Sequence, residues 1–225
     1  MAGIFYGVGV GPGDPELITL KAKRIIGSCA VIAAPRTPGG NMQALSIVSQ
    51  VMDLSGKKVL PLLFPMRQDE KERKESYGKA AADIISCLES GDDVAMLNIG
   101  DVSIYSTFSH LAREIRASGY ETVMCAGVPS FCAAAAELGA TLADGSEPLV
   151  VIPAKSPETE SLLGIGGTKV IMKSGRKFSE IRDMIGRSGS LSVSAAENCG
   201  MPDQKLYHGL DEMTDCGYLT VIIVK

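Results

Sequence analysis

Short apolar runs rich in β-branched residues alternate with segments of helical periodicity along the first half of the chain. This pattern predicts strands over residues 4–10, 30–35, 58–64 and 92–101, and helices over 16–27, 42–52, 69–90 and 104–118. Strands that alternate with helices in this way are typical of βαβ units around a parallel sheet.

The pattern changes in the second half of the chain. After a strand at "TVMCAG" and a helix at "SFCAAAAELG", five further strands are predicted at "PLVVIPA", "KVIMK", "LSVSAAE", "KLYHG" and "YLTVIIVK", with fewer and shorter helices. A mixed sheet fits this arrangement. We therefore predict two α/β domains, residues 1–119 with a mostly parallel sheet and residues 120–225 with a mixed sheet, and a ligand cleft between them.

Composition narrows the class of protein. The 225 residues are 45% hydrophobic and 21% charged, which suits a soluble globular protein with a sizeable core. The net charge of −4 argues against a general nucleic-acid binder, and 5% aromatic residues without Trp argue against base stacking.

The first residues favour a strand over a basic signal segment, and no apolar run is long enough to span a bilayer. The six cysteines form no CxxC pair, and the chain has two histidines, so we expect no metal site. Cysteines in apolar surroundings are typical of a reducing cytosol. We therefore expect a cytoplasmic protein that does not bind membranes.

A glycine-rich turn, "GVGVGPGD", follows the first predicted strand. Its glycines occupy alternate positions from Gly7 to Gly13, whereas a dinucleotide-binding turn requires GxGxxG. Pro12 has no N–H to give to a phosphate, and the second strand ends in Pro35 where an acidic residue is needed. An NAD-dependent oxidoreductase is therefore disfavoured. The glycines either pack strand against helix or let bare backbone approach a bulky ligand.

Three more turns follow predicted strands in a similar way. They are "NIGDVSIYST" (Asn98–Thr107), "CAGVPSFCAAAAELG" (Cys125–Gly139) and "IMKSGR" (Ile171–Arg176). In open α/β sheets, ligands collect beyond the carboxyl ends of the strands. The turns together predict one ligand pocket assembled from several strand ends.

These segments, "GVGVGPGDPELITLKA", "GDVSIYST", "AGVPSFCAAAAELG" and "ENCGMPD", resemble the tetrapyrrole methylase family in the same order and at similar spacing. Within that family, "LPLLFPMRQDE" resembles enzymes that methylate C20 of precorrin-2 or cobalt-precorrin-2 in cobalamin biosynthesis. The resemblance implies S-adenosylmethionine as cofactor, a tetrapyrrole substrate and a homodimer. Another corrin-ring or uroporphyrinogen methyltransferase of the family is the alternative.

The resemblance also implies which residues contact the cofactor. These are Pro12, Ile99, Gly100, Asp101, Ile104, Pro129, Ser130 and Met172, with the loop Glu197–Gly200. Asp101 contacts the cofactor, caps the next helix, or does both. Uroporphyrinogen methyltransferases carry an acid where this chain has Pro35, so we assign no catalytic base.

The tetrapyrrole carries many carboxylates, which basic side chains at strand ends would orient. The candidates are Arg36, Arg67, Lys155, Lys173 and Arg176. Tyr105 is expected on the first turn of the helix over 104–118, where it packs on a ligand or in the core. His110, further along that helix, is expected to be structural.

Overall fold

The computed structural model describes residues 2–64, 69–189 and 192–225, and excludes the side chain of Arg176. Its contacts divide the chain into two compact units, Met1–Pro129 and Ser130–Lys225. Each unit is an α/β domain, with a parallel sheet in the first and a mixed sheet in the second, so the predicted fold class is confirmed.

The strands are β1 (Phe5–Gly9), β2 (Val31–Arg36), β3 (Lys58–Leu63), β4 (Val94–Asn98), β5 (Thr122–Cys125), β6 (Leu149–Pro153), β7 (Thr168–Met172), β8 (Val193–Glu197), β9 (Lys205–Tyr207) and β10 (Thr220–Val224). The α-helices are α1 (Leu20–Ser28), α2 (Gln43–Ser49), α3 (Glu70–Glu89), α4 (Phe108–Ala117), α5 (Ser130–Glu137), α6 (Thr159–Leu163) and α7 (Phe178–Arg187). Short 3₁₀ turns cover Pro15–Leu17, Gly175–Lys177 and Leu210–Glu212.

The first sheet has the strand order β3-β2-β4-β1-β5, and all of its neighbouring strands run parallel. Side chains alternate along each strand, so the sheet buries two different cores. Phe5 and Met96 pack with α3 and α4 on one face. Val8 and Leu97 pack with α1 and α2 on the other face. The connections that follow the adjacent strands β1 and β4 therefore leave toward opposite faces, which opens a crevice at their carboxyl ends.

The first helix begins later than predicted. Pro15–Leu17 forms a 3₁₀ turn, and Asp14 caps it by accepting a hydrogen bond from the Glu16 N–H at 2.8 Å. Extended backbone follows, and the Thr19 hydroxyl then accepts the Ala22 N–H at 3.1 Å to start α1. The sequence supplies two N-cap residues five positions apart, and both are used.

The predicted helix over 104–118 also begins later, at Phe108. Tyr105 has φ 50°, a left-handed conformation that a helix does not accept. The Ser106 hydroxyl donates to Asn98 Oδ1 at 2.7 Å and accepts the Phe108 N–H at 3.1 Å, which holds the loop against the end of β4. The prediction that Tyr105 lies on the first helical turn is therefore wrong.

The second sheet has the order β6-β7-β10-β8-β9. β6 and β7 are parallel, while β10 runs antiparallel to both of its neighbours. Phe178, Ile181 and Ile185 of α7 pack with Ile171 and Ile222 of the sheet in the core of this unit. The strands predicted in the second half of the chain are all present.

The units divide after Pro129, ten residues later than the predicted boundary at 119. The reason is β5, which pairs in parallel with β1 from Phe5↔Thr122 to Val8↔Cys125. This strand completes the first sheet, so it belongs with the residues before it.

Candidate functional site

Loops after β1, β4 and β5 meet at the carboxyl edge of the first sheet, defined here as residues 10–14, 99–107 and 126–129. An antiparallel bridge joins the first two loops. In it, Gly100 N–H donates to the Gly11 carbonyl at 2.7 Å, and Gly11 N–H donates to the Gly100 carbonyl at 3.3 Å. Pro12 is buried directly after this bridge. The structure thus brings Pro12 and Gly100 together at the crevice that the topology opens.

Gly127 of this edge and Gly9, the last residue of β1, are in backbone contact with their neighbours. A Cβ atom on Gly127 would lie 2.3 Å from the Gly100 carbonyl oxygen, and one on Gly9 would lie 2.7 Å from the same atom. A Cβ on Gly7 would meet the ring of Phe108 at 2.5 Å. At Gly7 and Gly9 the protein's own atoms fill the space that a Cβ would take, which supports the packing alternative for these two glycines.

Asp101 fastens the loop after β4 to the loop after β5. Its Oδ1 accepts the Ser103 N–H at 2.8 Å and also the Ser103 hydroxyl, while Oδ2 accepts the Gly127 N–H at 2.8 Å. Burial acts to raise the pKa of this carboxyl, but these hydrogen bonds outweigh burial and lower the pKa. Asp101 lies seven residues before α4, whose N-cap position is Thr107, so the helix-cap alternative is wrong.

Three glycine N–H groups of this edge are not available to a phosphate. The N–H groups of Gly11, Gly100 and Gly127 all donate hydrogen bonds to acceptors within the protein. A phosphate cradle needs such N–H groups to point at the ligand. This hydrogen bonding agrees with the sequence argument against a dinucleotide-binding turn.

The edge fits an uncharged or cationic nucleoside better. Ile99, Ile104 and Pro129 are half-buried, so each keeps apolar surface available beside the ionised carboxylate of Asp101. Apolar walls with a small number of placed polar groups are typical of cofactor pockets. The adenosyl and sulfonium groups of S-adenosylmethionine suit this set of side chains.

Two other predicted residues of the first unit, Arg36 and Tyr105, lie at or near the same edge. Arg36 is exposed at the end of β2, and Tyr105 is 42% exposed in the loop after β4. Burial of part of its ring raises the pKa of Tyr105. Pro35 pairs with Leu62 of β3. Arg67 lies outside the described residues.

The second sheet has a comparable edge, where β6, β7 and β8 end and β10 begins. Met172 is the half-buried last residue of β7, and its carbonyl accepts the Ala154 N–H at 2.8 Å. Lys173 follows with φ 60°. Ser130 is half-buried at the start of α5. For Arg176, the backbone lies in the 3₁₀ turn Gly175–Lys177, and its side chain is outside the description.

Glu197 is held in place by hydrogen bonds within the second unit. It is 8% exposed, and its Oε1 accepts the Gly217 N–H at 2.7 Å while Oε2 accepts the Tyr207 hydroxyl at 2.9 Å. Burial and this hydrogen bond raise the pKa of Tyr207. Within the loop Glu197–Gly200, Gly200 N–H donates to Gln204 Oε1 at 2.6 Å. The loop is thus fixed in place, and its predicted cofactor contact remains a proposal.

Sequence reasoning missed the partners of these carboxylates. Ser103 could have been found, because a serine two residues after an aspartate is the pattern of an Asx turn. Gly127, Tyr207 and Gly217 carry no such signal, since each is far from its partner along the chain.

Within the part of the chain that the structure describes, no cluster of three or more His, Cys, Asp or Glu side chains is arranged to hold a metal ion. The same residues include no helix with both the length and the apolar content to cross a membrane.

Comparison with known proteins identifies the class that this fold and edge define. The model of the tetrapyrrole (corrin/porphyrin) methylases matches residues 5–213. The chain therefore belongs to the tetrapyrrole methylase family.

Individual relatives cover nearly the whole chain. A protein of Methanocaldococcus jannaschii named "Probable cobalt-precorrin-2 C(20)-methyltransferase" is 32% identical over 98% of this chain and 95% of its own length. The cobalt-precorrin-2 C(20)-methyltransferase of Salmonella typhimurium is 31% identical over 100% of this chain and 97% of its own.

Solved structures share the fold. A cobalt precorrin-4 methyltransferase aligns with a TM-score of 0.77 and 18% identity, over 98% of this chain and 94% of that one. A uroporphyrin-III C-methyltransferase from Thermus thermophilus, crystallised with S-adenosylhomocysteine, aligns with a TM-score of 0.73 and 18% identity, over 99% and 97%. At this identity the likeness establishes the architecture alone.

Proposed function

We propose that the chain transfers a methyl group from S-adenosylmethionine to C20 of precorrin-2 or cobalt-precorrin-2, a step of cobalamin biosynthesis. The observation that carries this proposal is the likeness above 30% identity to cobalt-precorrin-2 C(20)-methyltransferases from end to end. A precorrin-4 C(11)-methyltransferase of Pseudomonas aeruginosa is 32% identical over 70% of the chain, so coverage favours the C20 reaction.

For the cofactor, we propose contacts with the residues that the family resemblance implies. Pro12, Ile99, Gly100, Asp101, Ile104 and Pro129 belong to the first unit, and Ser130 and Met172 belong to the second. When bound, the sulfonium supplies an electrophilic methyl group. The half-buried apolar side chains exclude water from it, and the Asp101 hydrogen bonds keep the surrounding loops rigid.

The main contribution of the protein to this reaction would be to align the cofactor with the substrate. The C20 carbon bridges the α-carbons of two rings, whose nitrogens make it electron-rich through conjugation. It can therefore attack the methyl group without a strong base, and water or a weak base can take the proton afterwards. Fixed orientation of two reactants contributes up to about 7–11 kcal/mol in well-aligned systems. The loops that Asp101 joins provide such a fixed framework, and basic residues such as Arg36 and Lys173 would orient the substrate carboxylates.

The direct test is incubation with S-adenosylmethionine carrying a carbon-13 methyl group and with precorrin-2, with and without cobalt. We expect the label at C20 in at least one of the two products, located by carbon-13 NMR. Asp101→Ala should lose most of the activity, because it frees the loops after β4 and β5. Lys177→Gln removes an exposed charge that pairs with Glu180 at 3.4 Å and should leave activity unchanged. Label that is absent from C20 in both products contradicts the proposal.

We also propose that the protein is a homodimer. The edge strand β3 supports this, because Val59 and Leu63 are 36% and 46% exposed on the face opposite Leu60 and Leu62. Exposed apolar side chains on an edge strand are suited to a partner surface. Light scattering after gel filtration should give twice the 23.6 kDa of the chain. Val59→Lys combined with Leu63→Lys should shift this mass toward the monomer.

A cytoplasmic location is proposed as well. None of the six cysteines, all of which lie in the described part of the chain, forms a disulfide bond, and five of them are buried. Free thiols persist where the compartment keeps them reduced. Fractionation of producing cells, with a cytosolic marker enzyme as reference, would check this proposal.

A further inference from the structure

The carboxyl edge of the second sheet gathers positive charge at a strained turn. β6 and β7 are adjacent parallel strands with Pro153 in register with Met172. Lys155 comes two residues after β6, and Lys173 comes directly after β7. The two side chains therefore start from neighbouring strand ends on the same edge of the sheet.

Backbone conformation at this turn is unusual. Lys173 has φ 60° and Gly175 has φ 34°, both in the left-handed region. Residues with a Cβ atom seldom adopt that region, and such strain concentrates at ligand-binding sites. A lysine in this conformation destabilises the fold, which suggests that its side chain is present for a function other than folding.

Ser174, between these two residues, is 2% exposed, and its hydroxyl has no hydrogen-bond partner among the side chains and backbone that the structure describes. Nearly all buried polar atoms in native proteins are paired, so an unpaired one points to a group that is absent or to stored strain. It is a second, independent sign that this turn is not built for stability alone.

Electrostatics point to the kind of ligand. Burial lowers the pKa of the Lys173 ammonium, and the positive charge of Lys155 lowers it further. An anion bound beside them would relieve this repulsion. The 3₁₀ turn Gly175–Lys177 runs directly into α7, so the positive end of a helix adds to the same field.

We propose that Lys155 and Lys173 form a subsite for a carboxylate group, at the turn that Ser174 completes. The inference rests on the proposed function, which offers two sources of that group. One is the amino-acid carboxylate of S-adenosylmethionine, and the other is an acetate or propionate side chain of the tetrapyrrole. In either case the subsite holds a reactant in orientation and takes no part in bond making.

Three ligands separate these sources by calorimetry or fluorescence, without any turnover. S-adenosylhomocysteine carries the amino-acid carboxylate, 5′-methylthioadenosine keeps the nucleoside and thioether without it, and uroporphyrin III presents tetrapyrrole carboxylates. Lys155→Gln and Lys173→Asn remove the charges, and asparagine tolerates the left-handed backbone. Lys173→Arg keeps the charge, and Lys177→Gln is the matched exposed control.

We expect each charge-removing variant to bind S-adenosylhomocysteine or uroporphyrin III about ten-fold or more weakly than wild type, as for loss of a charged hydrogen bond. The ligand whose affinity falls identifies the molecule that supplies the carboxylate. Affinity for 5′-methylthioadenosine should stay unchanged, and Lys173→Arg should restore most of the loss. If wild-type protein binds both carboxylate ligands and the variants bind them equally well, the subsite is refuted alone. If wild-type protein binds neither, the proposed function fails and the subsite fails with it.

Discussion

Substituting Gly127 by alanine tests whether the loops at the carboxyl edge of the first sheet are held by backbone contact. The new Cβ atom would lie 2.3 Å from the Gly100 carbonyl oxygen and 2.8 Å from the Cα of Gly9. Real Cβ atoms do not approach backbone this closely, so at least one loop must move. Gly127 does not have a positive φ, so the effect comes from the clash and not from backbone preference.

The expected cost is that of an overpacked core. Such substitutions destabilise proteins by about 1–3 kcal/mol. For a chain of this size, that loss lowers the melting temperature by about 2–12 °C. The displaced loop also carries Pro129, a proposed cofactor contact, so affinity for S-adenosylhomocysteine should fall as well.

Calorimetry measures both effects, with Gly78→Ala as the matched control. Gly78 is exposed in α3, and a Cβ there has nothing within 4 Å. Alanine in a helix is about 0.5–1 kcal/mol more favourable than glycine, so this variant should melt at the same or a higher temperature. A Gly127→Ala protein that melts within about 1 °C of wild type, with unchanged ligand affinity, would refute the packing argument.

Three other measurements test the side chains. Hydrogen bonds hold the folded pKa of Asp101 below its unfolded value of about 3.9, so its carboxylate stabilises the fold above that value and loses the effect as the pH falls through the folded pKa. In Asp101→Asn, the free energy of unfolding measured with urea should depend less on pH in that acid range than it does in wild type. The same pH dependence in both proteins would contradict this. Cys132 is the exposed cysteine, so one thiol should react quickly in the folded protein and none in Cys132→Ser; fast reaction of a second thiol would count against the burial pattern. Tyr207→Phe removes a donor to buried Glu197 and should cost about 1–3 kcal/mol of unfolding free energy; a smaller loss would mean that water replaces the hydroxyl.

Much of the architecture is legible in the pattern of apolar residues. The runs that became β1 and β4 are continuous and β-branched or apolar, as strands buried on both faces require. The helix over 69–90 was placed within a residue at either end, because Asp69 is an N-cap and its apolar face is periodic. The predicted start of the helix over 104–118 was wrong, because local polar groups hold the loop before it and Tyr105 is left-handed. The spacing of apolar residues carries no information about a left-handed residue.

The site is legible only in part. The clustering of the loops followed from the rule for strand ends, and the spacing of the glycines disfavoured a phosphate turn. The roles of individual residues depended on partners distant in sequence. Asp101 accepts a hydrogen bond from Gly127, which lies 26 residues further along the chain. The space beside Gly9 is filled by the backbone of Gly100 and Gly127. Such contacts exist only after the sheet has formed, so no local pattern encodes them.

The position of β10 has a consequence for how the second unit is made during translation. β10 lies at the middle of its sheet but is the last of these strands to leave the ribosome. Until it arrives, β6–β7 and β8–β9 are separate pairs, and the edges of β7 and β8 that later receive β10 have no strand to bind. Exposed edges of this kind invite pairing with other chains. The first sheet is complete once residue 125 is made, so a nascent chain of this protein should depend on chaperones mainly during synthesis of its second half.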